Sequence, residues 1–149
     1  MAIRVARVAF LGMAVLLVTG CAGGRAGTVA SIPTARANYD QIFDAATQLV
    51  TRAGYNVTRA DKASGSISGV KQIGGDSLHF NIVIRRVSES TIDVGLIRGG
   101  GGATALLLPT SLWKADAKNM LQHLAQAIDV PESQIMVTFG DERKPLDKF

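Results

Sequence analysis

From Asn38 to Gly54 the chain reads "NYDQIFDAATQLVTRAG" and sets Ile42, Phe43, Ala46, Leu49, Val50 and Ala53 on one side of a helix. Asn38 and Gln41 have capping-box spacing, Arg52 complements the negative end of the helix dipole, and Gly54 supplies a left-handed stop. The period then changes from helical to two. Tyr55–Ala60 and Ser66–Lys71 read as strands around the turn Asp61–Gly65, and the serines and glycine of the second suggest an exposed or weakly packed position. After a turn at Ile73–Ser77, Leu78, Phe80, Ile82 and Ile84 alternate with His79, Asn81, Val83 and Arg85. Ile92, Val94 and Leu96 alternate in the same way with Thr91, Asp93 and Gly95. Turns this short join antiparallel neighbours, since parallel strands need a crossover. A second helix follows in "SLWKADAKNMLQHLAQAID", with Trp113, Ala117, Met120, Leu121, Leu124 and Ile128 as its buried stripe. The pattern predicts an α+β fold, an antiparallel meander of three to five strands with both helices packed on its one apolar face. Two weaker strands flank it. Thr28–Ile32 is expected at an edge because of Pro33, and Gln134–Phe139 either joins a sheet edge or remains a loose tail.

The first 20 residues follow a different plan. Arg4 and Arg7 precede an apolar run from Val8 to Val18 that is broken only by Gly12, the layout of a secretory signal peptide. The run is too short to span a bilayer, which takes about 20 apolar residues. It ends in Val18-Thr19-Gly20-Cys21, which resembles the bacterial lipobox. The resemblance implies a diacylglyceryl thioether on the Cys21 thiol, removal of residues 1–20, and acylation of the new amine by a fatty acid such as palmitate. Two or more chains anchor a protein firmly where one does so only marginally, each buried CH₂ contributing about 0.8 kcal/mol. Cys21 is the only cysteine, so it has no thiol with which to share a metal or form an internal disulfide. Ala22 in place of Asp after the cysteine implies, by the same resemblance, an outer-membrane anchor facing the periplasm.

The expected organisation is therefore a cleaved signal peptide (1–20), a lipidated cysteine with a small-residue tether (21–37), one α+β domain (38–140), and a charged C-terminal tail (141–149). Arg4 and Arg7 leave with the leader, so the net charge of +4 falls to +2. Basic residues that are few and scattered, without interleaved aromatics, argue against nucleic-acid binding.

The stretch "YDQIFDAATQLVTRAGYNVTRADKASGSISG", with Tyr39, Ala45, Gly54, Tyr55, Gly65, Ile67 and Gly69 as landmarks, resembles a class of small uncharacterised bacterial lipoproteins with a single α+β domain. More distantly it is similar to the helix-grip-like domains of the lipoprotein C subunit of the outer-membrane β-barrel assembly machinery. The resemblance spans Asn38 to Arg98. It implies a fold and an envelope location, and it attaches no catalytic residue to any position of this chain.

Candidate chemistry is sparse. Ser68-Gly69-Val70-Lys71 and Ser111-Leu112-Trp113-Lys114 match Ser-x-x-Lys, but the companion Ser-Asp-Asn and Lys-Thr-Gly motifs of penicillin-interacting enzymes do not occur. His79 and His123 have no third ligand placed beside them, and no carboxylate pair has glycosidase spacing. "IRGGGGATALLLP" lacks the Lys-Ser/Thr that a P-loop needs after its last glycine, so Gly99, Gly100, Gly101 and Gly102 read as a flexible connector. No catalytic residue, metal site or cofactor is expected. The expected role is a non-enzymatic envelope interaction or assembly module that touches membrane lipid through Cys21 and another envelope protein through its surface. Asn81, Arg85, Arg86, Thr91 and Asp93, together with the four glycines, are the candidate contact residues. The alternative is a periplasmic carrier holding a small apolar ligand or lipid in an apolar cavity between helices and sheet.

Overall fold

The computed structural model describes residues 27–101 and 110–149. In chain order the elements are β1 (Gly27–Pro33), α1 (Tyr39–Arg52), β2 (Asn56–Asp61), β3 (Ser66–Ile73), β4 (Asp76–Ser88), β5 (Thr91–Gly101), α2 (Thr110–Ala127), β6 (Met136–Phe139) and β7 (Glu142–Pro145). The fold is α+β, and its strands form one antiparallel sheet ordered β2-β3-β4-β5-β1-β6-β7. β2 to β5 form the expected meander.

Seven strands exceed the three to five expected, and the difference lies in the flanking segments. β1 is interior, bonded to β5 on one side and β6 on the other. Pro33 is tolerated because β6 pairs only with Thr28–Ser31, so the missing N–H faces no second neighbour. The segment expected to be a tether thus already contains a central strand. The segment expected to be a charged tail contributes β7, and Leu146 just beyond it is fully buried. Gly99, Gly100 and Gly101 are also strand rather than connector, paired with His79, Leu78 and Ser77. Gly102 and residues 103–109 lie outside the described residues.

Both helices cover one face. Asn38 accepts the Gln41 N–H at 2.9 Å while the Gln41 side chain accepts from the Asn38 N–H at 3.0 Å, closing the capping box. Ile42, Phe43, Ala46, Leu49 and Val50 of α1 and Trp113, Ala117, Leu121 and Leu124 of α2 meet Ile67, Phe80, Ile82, Ile84, Ile92, Val94 and Leu96 of the sheet. β3 is an interior strand and not a weakly packed one. Its Gly69 lets α1 close in, because a Cβ there would lie 2.6 Å from Cγ1 of Val50. Gly65, at φ +68, turns the chain where a Cβ would lie 2.1 Å from the Ile84 carbonyl oxygen.

Register defines the two ends of the sheet. Gly27 lies opposite Ile97 and Ser77 opposite Gly101, so β1 enters at the end formed by the β3–β4 turn and the close of β5. The C-terminus of α1 and the first turns of α2 lie at this end as well. Lys114 reaches Glu142 and the ring of Phe139, and Phe139 pairs with Thr28.

Candidate functional site

Odd-numbered residues of β1, β4 and β5 point away from the helices. Their face carries Val29, Ser31, Asn81, Val83, Arg85, Thr91, Asp93, Gly95 and Ile97. Four of the expected contact residues, Asn81, Arg85, Thr91 and Asp93, are therefore brought together here, and Arg85 stands directly opposite Asp93. Ser31 donates to Asp93 Oδ1 at 2.7 Å, and Ser68 donates to Asn81 Oδ1 at 2.8 Å. Arg86 pairs with Ile92 in the opposite phase. It reaches the margin of this face, with Val87, where a bulge between Arg86 and Ser88 breaks the alternation. Cys21 and Gly102 lie outside the described residues, and Gly99–Gly101 serve as ladder.

Between these polar edges lies a shallow hollow of about 610 Å³, floored by Val29, Val83, Gly95 and Ile97 and bordered by Arg85, Arg86 and Asp93. Gly95 makes the hollow. It sits mid-strand between Val29 and Val83, and a Cβ there would meet nothing closer than the Val83 carbonyl oxygen at 3.6 Å. Neither backbone conformation nor crowding calls for a glycine, so the missing side chain is space left open on a sheet face. Glycine inside a strand commonly marks close approach by another group. The signal was present in the sequence, where Gly95 interrupts the outward phase between Asp93 and Ile97.

A second depression, about 470 Å³, opens between α1, α2 and the sheet at the Gly27 end. Leu49, Tyr55, Leu78 and Met120 line it together with Arg52, Lys71, Arg98, Asp116 and His123. Arg98 continues the inward phase of Ile92, Val94 and Leu96, and Lys71 continues that of Ile67 and Gly69. The Arg98 guanidinium lies 5.8 Å from the Trp113 ring centroid and 3.5 Å from Asp116 Oδ2. Its Nε is buried with no hydrogen-bond partner among the described residues. Lys71 Nζ is 3.5 Å from the Ala53 carbonyl oxygen and 5.9 Å from the Tyr55 ring centroid. Burial pushes the Tyr55 hydroxyl above its ordinary pKa against the opposing pull of Arg98. Sequence reasoning missed Arg98 and Lys71, although a cation in a buried phase is legible once the strand is assigned.

The Ser-x-x-Lys matches do not build a shared site. Ser68 lies on the helix-free face, bonded to Asn81, whereas Lys71 lies on the helix-covered one, as strand positions three apart must. Ser111 is exposed at the start of α2, and Lys114 is held by Glu142.

No protein-family model and no curated protein matches this chain.

Proposed function

We propose that this protein is a lipid-anchored component of a bacterial envelope, held through acylated Cys21 at the outer membrane and acting as a non-enzymatic interaction module. The observation that carries the reading is the Gly95 hollow. It is an apolar notch one side chain deep, left open where a larger residue would fit, and its edge carries Arg85 and Arg86. Among the described residues neither arginine has an ion pair within 4.0 Å. This complements an extended segment of another envelope protein that presents an apolar side chain next to an acidic one. Carriage of an apolar ligand between helices and sheet has weaker support. The middle of that layer is filled by fully buried side chains such as Phe80, Ile82 and Leu121, and the depression at its end has a charged rim.

The test is site-specific photo-cross-linking in intact cells from Val87, which is 59% exposed beside the hollow. One adduct of defined mass is expected, lost in Gly95→Leu and Arg85→Glu and not formed from Val57 on β2. The same adduct from Val57, or an adduct unaffected by Gly95→Leu, overturns the reading. Location is tested by Cys21→Ser, which is expected to release the mature-sized product from the membrane. Continued firm association of that product would sink the anchor.

A further inference from the structure

We infer that the cleft between the two helices at the Gly27 end holds the phosphate head of an anionic membrane lipid between Arg98 and Lys71. Both cations sit where the alternation calls for buried apolar residues. Register puts Arg98 beside Phe80 and Lys71 beside Leu78, so their Cα atoms lie roughly 12 Å apart across two strand spacings. Two long side chains can reach toward each other across that distance, and both line the same cleft. Among the described residues their polar partners are few. Besides the rings of Trp113 and Tyr55, Arg98 has one long contact with an Asp116 that is itself 55% exposed, and Lys71 has one carbonyl at 3.5 Å. An arginine whose side chain is only 16% exposed, with one ion-pair contact of 3.5 Å, is costly to keep unless another acceptor completes it. A planar guanidinium is suited to a phosphate, and Leu78 and Met120 give the cleft an apolar wall for the adjoining chain.

Orientation points to the same occupant and rests on the anchor proposed above. Cys21 and Gly27 are six residues apart, at most about 22 Å of extended chain. The end of the domain where β1 begins is therefore the end held at the bilayer, and it is where the cleft opens. Ile73, 45% exposed at the β3–β4 turn, and Leu112, 52% exposed in the first turn of α2, lie at this end too.

The experiment uses the full-length chain in phosphatidylcholine nanodiscs, with fluorescence from Trp113, the only tryptophan, as reporter. Dihexanoyl phosphatidylglycerol is titrated from solution, so the result does not depend on whether Cys21 is acylated. A saturable change is expected. Its Kd should be weakened about tenfold or more in Arg98→Gln and in Lys71→Gln, the loss of one charge-assisted contact, and be unchanged in Arg85→Gln on the opposite face. Lys71 is only half-buried, so its variant tests the idea even if Arg98→Gln fails to fold. Equal binding of dihexanoyl phosphatidylcholine, equally tight binding of inorganic phosphate alone, or indifference to Lys71→Gln in a folded protein would each overturn the inference.

Discussion

Toward the end of the sheet away from Gly27, the inward positions of β1, β4 and β5 include Ile32, Ile84 and Ile92, all 3% exposed or less, and only at the bulge does Arg86 turn out to solvent. At the Gly27 end, the same alternation on β5 and β3 delivers Arg98 and Lys71. Both rows belong to one sheet under one pair of helices, yet the isoleucines are dry and the two cations line an open cleft. Strand periodicity fixes which way a side chain points. Whether that direction is dry depends on what covers it, and among the described residues the cover over Arg98 and Lys71 is incomplete.

The largest effect expected from testing this contrast comes from moving the charge. Ile84→Arg places an unpaired cation among the dry inward residues and should cost about 4 kcal/mol or leave the protein unfolded, as read by urea denaturation. A cost under about 1 kcal/mol would mean that the two ends are equally wet. Next comes the contact where α1 meets the row leading to Arg98. Gly69→Ala forces a methyl group against Val50 and Tyr55 and should lose about 1–3 kcal/mol by the same measurement. The reciprocal change is expected to be mild. Arg98→Leu exchanges a poorly satisfied charge for an apolar side chain and should leave stability within about 1 kcal/mol of the parent or raise it. A loss of about 3 kcal/mol or more would make Arg98 part of the structural core instead.

The smallest effect concerns exposed charge at the same end. Glu142 is held by Lys114 and Lys144, which lower its pKa from the ordinary 4.5 to about 2. Its contribution is therefore present above pH 4.5 and is lost as pH falls from 4.5 toward 2. Glu142→Gln should remove that part of the acid dependence of thermal unfolding while shifting Tm little at neutral pH, as befits a surface cluster.

How much of the fold could be read beforehand varied with the length and regularity of the pattern. α1, with cap, stop and stripe all local, matches its prediction nearly residue for residue. The meander was legible because its turns are short. β1 and β6 were legible only as weak strands, one misplaced at an edge and the other left open between edge and tail, and β7 was read as tail, since seven-residue and four-residue strands carry little periodicity and their partners are remote. Ser31, for instance, bonds Asp93 across 62 positions. The glycine run misled because glycine promises freedom, whereas a ladder with His79, Leu78 and Ser77 constrains it. At the candidate surface, Asn81, Arg85, Thr91 and Asp93 were found from their phase alone. Gly95 was passed over because an absent side chain acquires meaning only between two present ones.

What the sequence by itself determined is the two helices, the strands β2 to β5 and the two sides of each, because helix and strand periods are properties of neighbouring residues. Tertiary structure alone decided the strand order, with β1 inserted between β5 and β6, and thereby which outward residues share a hollow. It also decided that Arg98 and Lys71, legible separately as inward cations, line one cleft at the end where the chain enters the domain. The reason is physical: periodicity is encoded over a few residues, whereas adjacency is settled by which distant strands exchange backbone hydrogen bonds and bury a common face.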